Sequence, residues 1–223
     1  MKYKDQRTQV RRFFIDTTIN SVIVSAVKQE AHMPEIFVPL PRWLKPIPLT
    51  IVPEHDFEGF RLHAAGTTGL PVGDTHAGAF GYPRRHHIHE GVDLYCPEGT
   101  PVVAVEDGIV VAIVAFTGPS AEPSSPWWHE TMAVLVEGNS GVVVYGEIAV
   151  ESSIREGTHV KAGDLIGHVV TVLKKIKNDR PTAMLHLELH EPGTRDAYEW
   201  TVALGRPPSL RDPTPFLLGA CDC

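Results

Sequence analysis

The chain has 223 residues, 43% of them hydrophobic and 21% charged, with a formal net charge of -7 at pH 7. That length supports one sizeable core, or one domain with an extension, and the acidic balance excludes nucleic acid as the main partner. No run of about eighteen apolar residues exists, which excludes a membrane-spanning helix.

The basic N-terminus leads into an apolar stretch that Asp16 and Asn20 interrupt, with no clear cleavage site after it. No signal peptide is read, so the sequence favours a cytoplasmic location. Over residues 17–31, Ile19, Val22, Ile23, Ala26 and Val27 recur at helical intervals and predict a short amphipathic helix. Pro34, Pro39, Pro41, Pro46, Pro48 and Pro53 then remove amide donors and favour an extended arm. Its Ile36, Phe37, Trp43 and Leu44 either strap the arm onto a domain or bind a partner. Residues 1–78 are therefore expected to form a Pro-rich N-terminal extension, 79–217 a domain and 218–223 a tail.

From residue 79 the chain turns to short Val- and Ile-rich runs such as "TPVVAVEDGIVVAIVAF" and "TMAVLVEGNSGVVVYGEIAV", broken by the turns "EDG" and "EGNSG". These predict antiparallel hairpins of an all-β sandwich or barrel. Between them lies the Pro/Ser-rich loop "TGPSAEPSSPWWHE", whose Trp127 and Trp128 either line a ligand groove or cap the sandwich. The three cysteines show no disulfide spacing, and the terminal "CDC" pair closes only with strain.

Twelve histidines put metal binding on the page. A catalytic zinc ion takes three protein ligands and keeps one position open. In "HIHEGVDLYC" His89 and Asp93 lie four apart, with Gly91 between them free to take the backbone angles of a tight approach. Further along, "LHLELH" places His186, Glu188 and His190 on one strand face, because their separations are even.

Four stretches in order across residues 79–217, "FGYPRRHHIHEGVDLYCPEGTPVVAVEDGIVV", "GVVVYGEIAVESSIREGTHVKAGDLIGHV", "MLHLELHEPG" and "RDPTPFL", resemble the lysostaphin/LytM-type zinc metallopeptidase family. The resemblance implies an antiparallel β-sandwich of the LytM type, built on a duplicated hybrid motif, with a narrow groove. It implies zinc held by His89, Asp93 and His186, with water or substrate in the fourth position. The family's ligands are peptidoglycan cross-link peptides, and it acts outside the cytoplasmic membrane. Two histidines that do acid-base work in the family are replaced here by Glu147 and Met184. The expectation is thus a degenerate, zinc-binding module or scaffold for a peptide, a peptidoglycan-like ligand or a protein partner. The alternative is an active zinc endopeptidase that cleaves cross-link peptides, with Glu147 as general base rather than a solvated strand residue.

His190 stands where the family has arginine, and is expected either beyond the metal or on the outer face. His76, His86 and His87 are expected on the surface, outside the ligand set. The glycine- and serine-rich turn of the family is replaced by "LKKIKNDRP", whose Lys174, Lys175, Lys177 and Arg180 form a solvated loop or recruit an acidic partner. The stretch "EGTHVKAGDLIGHV" also resembles the hybrid motif of biotinyl and lipoyl carriers, but no "MKM"-like tip supports a carrier function.

Overall fold

The structure, a computed structural model, describes residues 42–55, 66–175 and 182–222. The predicted helix over 17–31, Ile36, Phe37, Lys177, Arg180 and Cys223 lie outside them. The described strands are β1 (Thr50–Glu54), β2 (Thr67–Pro71), β3 (Val92–Tyr95), β4 (Pro101–Val103), β5 (Gly108–Thr117), β6 (Thr131–Gly138), β7 (Gly141–Val150), β8 (His159–Val160), β9 (Leu165–Val169), β10 (Met184–His190) and β11 (Leu210–Arg211). One short helix, α1 (Thr214–Leu218), follows. The protein is all-β and antiparallel, in line with the alternation of Val-rich runs and glycine turns. β1 and β2 alone form a separate parallel pair.

The large sheet runs β11-β10-β7-β6-β5-β8, with β3 added on β10, and β9, which carries β4, added on β7. Its centre is buried on both faces. Val134, Val136, Val143 and Tyr145 enter the main core, while Ala133, Leu135, Val142 and Val144 pack in a second cluster. Burial on both sides explains why these strands read as nearly unbroken β-branched runs. β7 has two partners in succession: residues through Gly146 pair with β10, and residues from Ile148 pair with β9. Where it changes partner, its ladder with β6 also takes up an extra residue. Glu147 falls between the two pairings.

The Pro-rich arm contributes to the core. Trp43 is fully buried, stacks on Phe216 with centroids 4.8 Å apart, and donates its indole N–H to Ser140 Oγ at 3.1 Å. Its carbonyl accepts the Cys221 amide, and the Cys221 carbonyl accepts that of Lys45, so arm and C-terminal segment are laced together. Trp43→Phe removes the donor and part of the ring, and is expected to cost about 1–2 kcal/mol. A lowered urea midpoint at unchanged slope checks this. Among the described residues no helix is long and apolar enough to cross a membrane. Cys96 is a buried free thiol that burial pushes up to about 11, so it stays protonated and unreactive.

Candidate metal centre

β3 pairs antiparallel with β10 in a register that sets Asp93 directly opposite His186. His89 precedes β3 in a backbone clip, where Gly81 N–H donates to the His89 carbonyl and His89 N–H to the Tyr82 carbonyl, both at 2.9 Å. Three side-chain atoms then converge. His89 Nε2 lies 3.1 Å from Asp93 Oδ1 and 3.2 Å from His186 Nδ1, and the last two are 2.9 Å apart. All three residues are buried.

The hydrogen bonds behind each imidazole decide which nitrogen carries a lone pair. His89 Nδ1 donates to the Ala79 carbonyl at 2.9 Å, so its Nε2 is bare. His186 Nε2 donates to Glu188 Oε1 at 3.0 Å, which frees Nδ1. Two bare nitrogens and a carboxylate oxygen therefore face one another in a buried space. A tetrahedral ion with bonds near 2.0 Å has ligand edges of about 3.3 Å, so the set fits a divalent metal such as zinc. Without the ion, burial opposes a charge on His186, but hydrogen bonds to Asp93 and Glu188 and their fields raise it to about 10. A proton on Nδ1 then stands in for the cation. Burial, with the charge of Arg84, instead takes His89 down to about 4 despite Asp93. Burial also disfavours charge on Asp93, yet the fields of His89 and Arg84 and its hydrogen bonds hold it well below the usual carboxylate range.

Glu188 continues outward. Its Oε2 accepts His190 Nε2 at 2.7 Å, and His190 Nδ1 meets Ser209 Oγ at 3.1 Å. His190 is fully buried and lies beyond the triad, not on an outer face. Burial opposes ionisation of Glu188, but its two histidine donors take it down to about 2.

The stretch Ala77–Ala79 braces the centre with three successive carbonyls. Ala77 accepts Arg84 Nη2 at 3.0 Å, Gly78 accepts the Asp93 amide at 2.9 Å, and Ala79 holds His89. His76 is not a surface residue. It is fully buried, and its Nδ1 accepts the Gly78 amide at 3.0 Å. His86 is exposed and His87 half-buried, both at the groove.

Gly91 is needed for space rather than for a special backbone angle. Its φ is not left-handed, but a Cβ there would lie 2.5 Å from the Leu187 carbonyl oxygen and 2.8 Å from His186 Nε2. Gly91→Ala is expected to cost about 1–3 kcal/mol and to displace the His186 ring. Thermal unfolding with and without zinc tests both, and the zinc-induced rise in Tm should shrink.

Glu147 is buried, 7% exposed, in contrast to a solvated strand position. It sits at the partner change in β7 with φ 65°, a left-handed conformation that costs a non-glycine residue about 1–3 kcal/mol. Among the described residues its Oε2 has no hydrogen-bond partner. Burial, then the negative charge of Asp93, raises it to about 8. Neighbouring Gly146 has no room for a Cβ, which would lie 2.6 Å from the Phe116 ring.

Glu147, His186, Glu188 and Arg84 line a groove of about 460 Å³. Trp127 and Trp128 line it too, so the loop does not fold away as a cap, and Trp127 is 65% exposed. Tyr198, half exposed, joins them. Lys174 donates to the Pro126 carbonyl at 2.8 Å, which ties the basic loop to the tryptophans. Sequence reasoning missed Arg84, Tyr198 and the carbonyl brace. Of these, only the arginine beside a histidine cluster carried a signal.

An all-β sheet thus carries a buried two-histidine, one-carboxylate donor set that opens on a groove and could hold one metal ion. The model of peptidase family M23 matches residues 87–197, and the domain they span belongs to that family. No curated protein matches. Similar solved structures include the catalytic domain of the antimicrobial peptidase lysostaphin from Staphylococcus simulans, 22% identical over 63% of this chain and 89% of that one, with a TM-score of 0.43. Csd3 from Helicobacter pylori is 19% identical over 73% of this chain and 37% of its own, with a TM-score of 0.40. A zinc-containing peptidase from Vibrio cholerae is 23% identical over 50% and 32%, with a TM-score of 0.35. The chain thus spans only 37% of the Helicobacter chain and 32% of the Vibrio chain.

Proposed function

We propose that the chain is a zinc-dependent endopeptidase in which Glu147 is the general base. The observation that carries this reading is the buried Glu147 carboxyl that lines the same groove as the triad, its Oε2 without a hydrogen-bond partner among the described residues. Holding such a group buried, on a left-handed backbone, costs about 1–3 kcal/mol for the backbone alone, which a binding module has no reason to retain. Active sites are where such strained and orphaned groups belong.

His89, Asp93 and His186 would hold the metal. Bound zinc would supply Lewis-acid polarisation and make water a better nucleophile at neutral pH. Glu147 takes the proton from the attacking water and passes it to the leaving amine, the work a histidine does in the family. Glu188 keeps the His186 tautomer fixed, and His190 keeps Glu188 ionised. Trp127, Trp128 and Tyr198 supply flat walls against which an extended peptide lies. M23 peptidases act on peptidoglycan peptides, so cross-link peptides are the substrate class proposed here.

Met184 supports the other reading, a zinc-binding module without hydrolysis. It is buried on β10, two residues before His186, and offers no donor where the family has a histidine. The test is release of new amines from peptidoglycan fragments and glycine-rich peptides by the zinc-loaded protein, with Asp93→Ala and Glu147→Gln alongside. Cleavage lost in both variants supports the enzyme. No cleavage by the parent with one zinc bound supports the module.

A further inference from the structure

Arg84 divides the Asp93 carboxylate into two unlike oxygens. Oδ1 faces the two imidazoles, while Oδ2 accepts Arg84 Nη2 at 2.6 Å. That distance marks a strong, charge-assisted bond. The same Nη2 donates to the Ala77 carbonyl at 3.0 Å, and the adjacent Gly78 carbonyl accepts the Asp93 amide at 2.9 Å. The guanidinium is therefore tied to the backbone that also fixes Asp93, in a closed ring of contacts. Among the described residues that line the groove it is the only lysine or arginine.

A carboxylate on its own turns easily, because its terminal torsion is broad and roughly two-fold. It binds a metal through one oxygen or through both. Two-oxygen binding would use up the coordination position that a substrate or water needs. With Oδ2 held by Arg84, only Oδ1 is left to ligate. We propose that Arg84 is a positioning residue: it restricts Asp93 to one-oxygen ligation and so keeps a coordination position open. An ion pair that served stability alone would be satisfied at either oxygen; this one is built on the oxygen turned away from the imidazoles. The inference rests on the triad being a metal centre, but not on whether the protein hydrolyses anything.

The test uses cobalt(II) as the metal probe on the full chain, with its visible spectrum reporting coordination number and a chelator competition reporting affinity. The parent should show the intense bands of a four-coordinate ion. Arg84→Met should weaken those bands toward the pattern of higher coordination and lower cobalt affinity about 10–100-fold, the usual effect of removing a group that orients a ligand. Arg84→Lys keeps the charge without the planar fork, so it should regain part of the affinity but not the parent spectrum. Thermal unfolding of each variant tracks folding, and the lysine variant carries the comparison if the methionine variant does not fold. An unchanged spectrum with affinity within about twofold in the folded variants overturns the role. A parent that binds no cobalt removes the metal centre itself, which is a different failure.

Discussion

Asp93→Ala is expected to abolish stoichiometric zinc binding and to destabilise the metal-free fold by about 3 kcal/mol. Two donors lose their acceptor at once, Arg84 and the metal-free His186 Nδ1–H. The guanidinium is left half-buried without its counter-charge, and breaking a buried pair from one side is the costly way to break it. The figure is set at the low end because the Arg84 side chain is 27% exposed and water recovers part of the loss. Two bare imidazole nitrogens also cannot hold the ion as three ligands do. The parent should therefore gain Tm on adding zinc, as binding to the native state alone requires, and the variant should not. Asp93→Asn keeps the shape and an acceptor, so it should recover part of the fold but none of the tight binding. Metal content after dialysis and paired melts measure both. If Asp93→Ala keeps one equivalent of zinc at parental affinity, the triad is not the metal site.

The Asp93 contribution also has a pH signature with a definite sign. Its folded-state value lies well below the ordinary one of about 4, so its stabilisation is present in full above that ordinary value. It is lost as pH falls toward the folded value, when the native carboxylate is finally protonated. The parent should therefore lose its stability advantage over Asp93→Ala only in strong acid.

The candidate ligand set was legible in the sequence through the family resemblance, which marks its positions by chemically distinctive residues. His89 and Asp93 flank Gly91 within one turn, and the even spacing of "LHLELH" put His186, Glu188 and His190 on one face. The structure brings the first three together and strings the other two behind them. What braces them was not legible. The carbonyls of Ala77, Gly78 and Ala79 are backbone groups, and any residues could have supplied them. His76 and Gly91 were visible, but their roles depend on what packs against them: a fully enclosed ring in one case, a carbonyl oxygen in the other. The all-β class followed from β-branched runs and glycine turns. The change of partner along β7 did not, since strand periodicity says nothing about which neighbour a strand leaves. That change turned Glu147 from a solvated strand position into a buried one.

Glu147→Gln is expected to lower peptide hydrolysis by about 10²–10⁴-fold while zinc occupancy stays at the parental level. Glutamine matches the protonated carboxyl in shape but cannot take a proton from water. The same substitution should stabilise the metal-free protein, in a way that depends on pH. Glu147 sits at about 8 in the folded state, against about 4.3 in an unfolded chain. Below the unfolded value the carboxyl is neutral in both states, and parent and variant should melt together. As pH rises from there toward 8, the unfolded chain binds fewer protons than the native one, so the parent loses stability relative to the variant. By pH 9 the gap should be on the order of 5 kcal/mol, because the charge is then buried. Amine release at one pH and paired melts from pH 5 to 9 measure the two effects separately. Full activity in the variant would remove Glu147 from the chemistry; parallel melting curves would mean that the carboxyl is not held dry. Lost activity together with gained stability is the pattern of a group kept for what it does rather than for what it holds together. A solvated strand residue, or a neutral filler in a binding module, would change neither.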